Sequence, residues 1–138
     1  MQTKIIALIL SIGLIGLLAG TATSQENEAE AMTASIAEAV VCREVVDRAP
    51  VGGGDVFPKD VERLYCFVRV TGADTEIEIQ HKWYYQGELV ATVALPVRSD
   101  NWRTYSSKRI GPQMSGEWMV EICLDQGEPL QKIVFMVE

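Results

Sequence analysis

From Val40 to the end of the chain, apolar and polar positions alternate in short runs broken by turn-forming residues. This is the pattern of an all-β sandwich or barrel. Seven runs can be drawn: "VVCREVVD" (40 to 47), "RLYCFVRV" (63 to 70), "TEIEIQHKWYY" (75 to 85), "ELVATVALPV" (88 to 97), "NWRTYSSKRI" (101 to 110), "EWMVEICLD" (117 to 125) and "LQKIVFMVE" (130 to 138). No stretch keeps apolar spacing at the helical period for three turns, so the folded part is expected to be nearly free of helix.

Alternation also sorts side chains by face, because successive residues of a strand point to opposite sides. In the third run Ile77, Ile79, His81, Trp83 and Tyr85 share one face, and Glu76, Glu78, Gln80, Lys82 and Tyr84 the other. The fourth run puts Leu89, Ala91, Val93 and Leu95 on its apolar face. Opposed residues of a hairpin share a face, so odd positions must meet odd ones. A two-residue Gln86-Gly87 turn breaks that parity, whereas a three-residue loop, Tyr85-Gln86-Gly87, keeps it and pairs Trp83 with Leu89, His81 with Ala91 and Ile79 with Val93. In the second hairpin Trp118, Val120, Ile122 and Leu124 oppose Ile133, Phe135 and Val137, a parity that suits a two-residue Gln126-Gly127 turn without a bulge. The second run turns Leu64, Cys66, Val68 and Val70 inward and Tyr65, Phe67 and Arg69 outward.

Outside these runs the pattern changes. Residues 5 to 18 are an uninterrupted apolar run of 14, preceded by Lys4 and followed by small residues. A membrane span needs about 20 apolar residues, so residues 1–24 read as a signal peptide, with an uncleaved anchor as the rival. Residues 25–38 are rich in Glu, Ala and Ser and read as an acidic linker, leaving 39–138 as the β-sandwich domain. "RAPVGGGDVFPKDVE" holds three consecutive glycines and two prolines. It is expected to be a surface loop, covering the outward pair Tyr65 and Phe67.

Composition adds three constraints. A chain of 138 residues, 48% hydrophobic and 22% charged, has enough apolar material for one packed domain. Without Lys4, 11 Lys+Arg stand against 19 Asp+Glu, a net of about −8, which argues against general binding to nucleic acid or anionic lipid. Cys42, Cys66 and Cys123 would meet an oxidising compartment after export. A Cys42 to Cys66 disulfide, worth about 3 kcal/mol for a closed loop of about 25 residues, is one reading, and three buried thiols with no pairing at all is the other. Cys123 is left as a free thiol or a dimer link.

Candidate chemistry is sparse. The lone His81 has neither a nucleophile nor an orienting partner in sequence, and the chain has no Cys-x-x-Cys, no Gly-x-Ser-x-Gly and no phosphate-cradling glycine loop before a helix. No cofactor and no metal site are expected. The richest stretch is "NWRTYSSKRI", with Trp102, Thr104, Ser106 and Lys108 on one face and Arg103, Tyr105, Ser107 and Arg109 on the other. Residues 98 to 109 carry four basic residues against one Asp. Two roles fit: a shallow site for a sugar polymer or anionic group, or an exposed strand anchored by Trp102 whose basic groups pair with glutamates.

"HKWYYQGELV", "NWRTYSSKRI", "GEWMVEI", "IVFMVE", "RAPVGGGDVF" and "LYCFVRV" together resemble the bacterial family known as domain of unknown function 2914, over residues 40 to 138. The resemblance implies an extracytoplasmic module without an established activity, and it marks His81, Trp83, Trp102, Arg103, Ser106, Lys108, Gly116 and Trp118 as motif positions. The expected fold is therefore all-β, an antiparallel, immunoglobulin-like sandwich of about seven strands. The expected function is that of an exported, non-enzymatic recognition module of the cell envelope, periplasmic or otherwise extracytoplasmic, binding glycan or another envelope component. Its candidate ligand-binding residues are Trp102, Arg103, Ser106, Lys108, His81 and Trp83. A structural or protein-interaction module using an exposed sheet edge is the alternative, and an enzyme using His81 a third reading. No nucleic acid partner is expected, and membrane contact only through the leader if it stays uncleaved.

Overall fold

The structure, a computed structural model, describes residues 34–125 and 127–138. The expected leader, most of the acidic stretch and Gln126 of the second hairpin turn lie outside the described residues. Among the described residues there are ten strands: β1 (Ser35–Cys42), β2 (Glu44–Val46), β3 (Ala49–Val51), β4 (Val56–Phe57), β5 (Arg63–Thr71), β6 (Ile77–Tyr85), β7 (Glu88–Val97), β8 (Asn101–Arg109), β9 (Gly116–Leu124) and β10 (Pro129–Val137). A three-stranded sheet in the order β1-β5-β8 packs against a five-stranded sheet in the order β4-β10-β9-β6-β7. The seven long strands make the expected immunoglobulin-like sandwich, and only the two-residue β4 runs parallel, beside the end of β10.

The inner faces are those that alternation predicts. Leu64, Cys66, Val68 and Val70 of β5, Ile79 and Trp83 of β6, Trp118, Val120 and Ile122 of β9 and Phe135 and Val137 of β10 form one core. Burial of each large apolar side chain contributes about 1.5–3 kcal/mol. Phe135 sits at its centre, stacked on Trp118 (centroids 6.0 Å apart) and meeting Trp83 (6.3 Å) and Phe57 (5.9 Å) edge-on. In the β9–β10 hairpin Trp118 stands opposite Phe135 and Val120 opposite Ile133, the expected register, with an irregularity near the turn between Pro129 and Gln131 that the reading without a bulge lacked.

The first hairpin departs from the expected pairing. Tyr85 stands opposite Glu88, so Gln86 and Gly87, both at positive φ (49° and 84°), form a two-residue turn. Parity is restored by a bulge on β7, where the register shifts between Trp83 and Tyr84. Trp83 then meets Ala91, His81 meets Val93 and Ile79 meets Leu95. For Ala91, Val93 and Leu95 the face survives and the partners move by two, because a shift of two preserves alternation, whereas Leu89, beyond the bulge, stands opposite Tyr84 and is exposed, not on the apolar face expected for it. Gly116, at φ 121°, lets β9 begin against this turn; a Cβ there would lie 2.8 Å from the Gln86 side chain.

The amino-terminal side differs more. β1 begins at Ser35, inside the stretch read as linker, and ends at Cys42 instead of continuing to Asp47. Ile36, Ala39 and Val41 pack against the core, so three apolar residues among glutamates and alanines are enough for a strand at the sheet edge. The glycine-rich segment is not a bare loop. β2 and β3 form a hairpin turned by Asp47 and Arg48, both at positive φ, and β2 packs against β5, β3 against β1. Phe67, on the outer face of β5, is thereby buried.

The Cys42 to Cys66 disulfide is not formed; all three cysteines are free and buried. Register explains it. Cys66 stands opposite Val41, so Cys42, one residue further, points to the other face of the β1–β5 pair.

Candidate functional site

Two polar groupings emerge from the expected site residues, one on each side of β8. The inner one bridges the sheets. His81 and Trp83 project from β6 and Ser106 from β8, all three buried. The Trp83 indole N–H donates to Ser106 Oγ at 3.1 Å, and His81 Nδ1 lies 2.6 Å from the same oxygen. Since the indole can only donate, the arrangement that satisfies Ser106 has its hydroxyl donating to His81 Nδ1, which puts the neutral ring's hydrogen on Nε2. His81 Nε2 has no partner among the described residues. Burial pulls the His81 pKa down to about 4, so the ring is neutral at ordinary pH. A histidine–serine pair of this length resembles a nucleophile and its base, but no exposed surface reaches it.

The outer grouping is open. Strand alternation turns Arg103 and Tyr105 away from the core, and the β2–β3 hairpin rises beside them. Arg48 at the hairpin tip, Ser99, Asn101, Trp102, Arg103 and Tyr105 line a pocket of about 570 Å³, with Phe67 also in its wall. An Arg103 guanidinium nitrogen, Nη1, donates to the Arg48 carbonyl oxygen at 3.4 Å, tying the hairpin to β8. Tyr105 is 47% exposed and meets Tyr65 edge-on, centroids 5.9 Å apart. The pocket thus combines guanidinium, hydroxyl and amide donors with aromatic faces, the composition that recognises sugar rings and anionic groups.

Each candidate residue has a place in this division. His81, Trp83 and Ser106 meet in the sealed core. Trp102 is half-buried, packed on the core from the inner side while reaching the pocket rim. Arg103 belongs wholly to the outer face. Lys108 is half-buried on the inner side near the strand end, its Nζ donating to the Arg109 carbonyl oxygen at 3.1 Å. Trp118 and Gly116, marked by the resemblance, are structural: the Trp118 indole donates to the Met114 carbonyl oxygen at 2.9 Å. Sequence reasoning missed Arg48 and Asn101. The strain-tolerant Asp47-Arg48 step is the only local signal that the loop folds back to bring Arg48 there.

The cysteines form no site. Burial raises the thiol pKa of all three, most strongly for Cys66, while backbone hydrogen bonds temper the rise at Cys42. Among the described residues no three His, Cys, Asp or Glu side chains gather where they could hold a metal.

Fold and site together define a small β-sandwich with a sealed polar contact inside and a cationic, aromatic pocket outside. Residues 76–137 match the model of the family described as "Protein of unknown function (DUF2914)". The match spans β6 to β10; β1 to β5 precede it. No curated protein matches the chain. Among solved structures, it is similar to the GH3 beta-glucosidase of Bifidobacterium adolescentis at 12% identity and a TM-score of 0.43, over 76% of this chain and 17% of that one. The chain therefore corresponds to a minor fraction of that enzyme's length.

Proposed function

We propose that the chain is an exported, non-enzymatic recognition module of the cell envelope, taking a glycan or another envelope component on the outer face of β8. The observation that carries this reading is the open pocket in which Arg48 and Arg103 stand beside Tyr105 and Trp102. Rings of a sugar stack on aromatic faces, and the guanidinium groups bond to hydroxyls or acid groups. The leader sequence supports export, and the burial of His81 and Ser106 supports a role without catalysis. Trp83 and Trp118 are fully buried while Trp102 reaches the rim, so tryptophan fluorescence reports on the pocket. Titration with a panel of envelope polysaccharides is expected to shift that fluorescence, and Arg103→Ala to weaken the response at least tenfold with an unchanged melting curve. A flat response across the panel refutes the reading.

A second reading has its own observation. β7 is the outer strand of the five-stranded sheet, carries no charge from Leu89 to Val97, and exposes Leu89 (53%) and Val90 (39%). Such an edge accepts an added strand from a protein partner. Recovery of one stoichiometric envelope protein in a pull-down, lost with Thr92→Lys, is the result expected of that role.

A further inference from the structure

We infer that the ligand of the outer face is a linear acidic polysaccharide, gripped at two places by opposed arginine pairs. This rests on the recognition reading above and names its ligand class. The β5–β8 register sets Arg63 directly opposite Arg109 and Arg69 directly opposite Arg103, all on the face that carries Tyr65 and Tyr105. Directly opposed like charges destabilise a sheet. The other outer face of the same molecule avoids them: Lys82, Glu121 and Lys132 stand in one row across β6, β9 and β10, alternating in sign, with Lys132 Nζ 3.6 Å from Glu121.

Neither arginine pair is joined to a carboxylate in this way. Among the described residues none of the four forms an ion pair, although Glu38 of β1 stands opposite Arg69. Their hydrogen bonds go to neutral acceptors: Arg63 to Ser107 Oγ (2.8 Å), Arg69 to Asn101 Oδ1 (3.2 Å) and Arg103 to the Arg48 carbonyl. In a chain of net charge −7, four guanidinium groups on one sheet face, none paired with a carboxylate among the described residues and only Arg69 with a glutamate opposite it, form an anion-binding array.

Spacing narrows the ligand. Residues 63 and 69 are six apart on one strand, about 20 Å at 3.3 Å per residue. Between the two pairs lie the tyrosine rings, Tyr105 half exposed. A small anion reaches one pair only. A chain of sugar rings with acid groups at intervals reaches both and lays ring faces on the tyrosines between. The negative balance of the whole domain opposes a densely charged nucleic acid more than a polymer of sparser charge, which favours the polysaccharide.

The test measures affinity of the full chain for polygalacturonate, for a poly(glycerol phosphate) and for neutral dextran across a salt series. Expected are binding to an acidic polymer that weakens steeply with salt, at least tenfold loss in Arg63→Ala/Arg109→Ala and in Arg69→Ala/Arg103→Ala, and no change in Lys82→Ala on the opposite face. Monomeric galacturonate is expected to bind far more weakly and to be insensitive to the Arg63/Arg109 pair. Tighter binding to poly(glycerol phosphate), which has no sugar ring to lay on the tyrosines, overturns the choice of polysaccharide. Dextran binding as tightly, independent of salt, overturns the acidic inference and leaves the recognition reading standing; no binding to any polymer removes both. Tighter binding to single-stranded DNA than to either acidic polymer overturns the choice of polysaccharide.

Discussion

The two sides of β8, one residue apart, have opposite physics. Inward, Ser106 is desolvated and holds His81 and Trp83 across the gap between the sheets. Outward, Arg103, Tyr105 and Arg109 face water, and the arginines repel their neighbours on β5. The same polar vocabulary therefore does two jobs, and only the side of the strand tells them apart. Inner-face changes should alter stability and spare ligand affinity, and outer-face changes the reverse.

The largest effect expected comes from acid. His81 titrates near 6.5 in an unfolded chain and about 4 in the folded one, where burial disfavours its charge. Between those values the unfolded state binds the extra proton, so stability is complete above about pH 6.5 and falls as pH drops toward 4, by about 3 kcal/mol. Denaturant midpoints measured across that range should show the slope. A His81→Leu variant with the same slope would mean that another group causes it.

Ser106→Ala comes next, at about 1–3 kcal/mol, since it strips the partner from the Trp83 indole N–H and from His81 Nδ1 without opening a large cavity. Polysaccharide affinity of the folded variant should match that of the parent. A tenfold loss would show that the two sides of β8 are coupled.

Smallest is the outer-face effect on stability. Arg109→Ala removes one member of a like-charged pair, and its thermal unfolding should move by no more than about 0.5 kcal/mol, toward greater stability. Clear destabilisation would count against repulsion between Arg63 and Arg109.

Much of this architecture was legible in residue order. Six of the long strands fall within two residues of the runs drawn from alternation, and the separation of Ser106 from Arg103 follows from parity. What escaped reading depended on longer-range geometry. The bulge on β7 is silent because a shift of two leaves the faces of Ala91, Val93 and Leu95 unchanged and moves only Leu89, next to the turn, to the other side. The first half of β1 was hidden because an edge strand buries only one side, and Ile36 and Ala39 sit among residues that look solvated. The Asp47-Arg48 turn lacks the glycine that advertises such hairpins. The contact of His81 with Ser106 joins strands of different sheets, and the arginine pairs require knowing that β5 and β8, distant in sequence, are neighbours. Chemistry was visible one strand at a time; the site is a property of two.

Three shielded sulfhydryls carry a final consequence for how this chain must mature. Once folded, Cys42, Cys66 and Cys123 are poor targets for oxidants, being covered and held protonated. Before folding they have no such protection, and a bond between Cys42 and Cys66 would join side chains that the native register turns to opposite faces. Preparations refolded under reducing conditions should yield more of the native fold than those refolded in air.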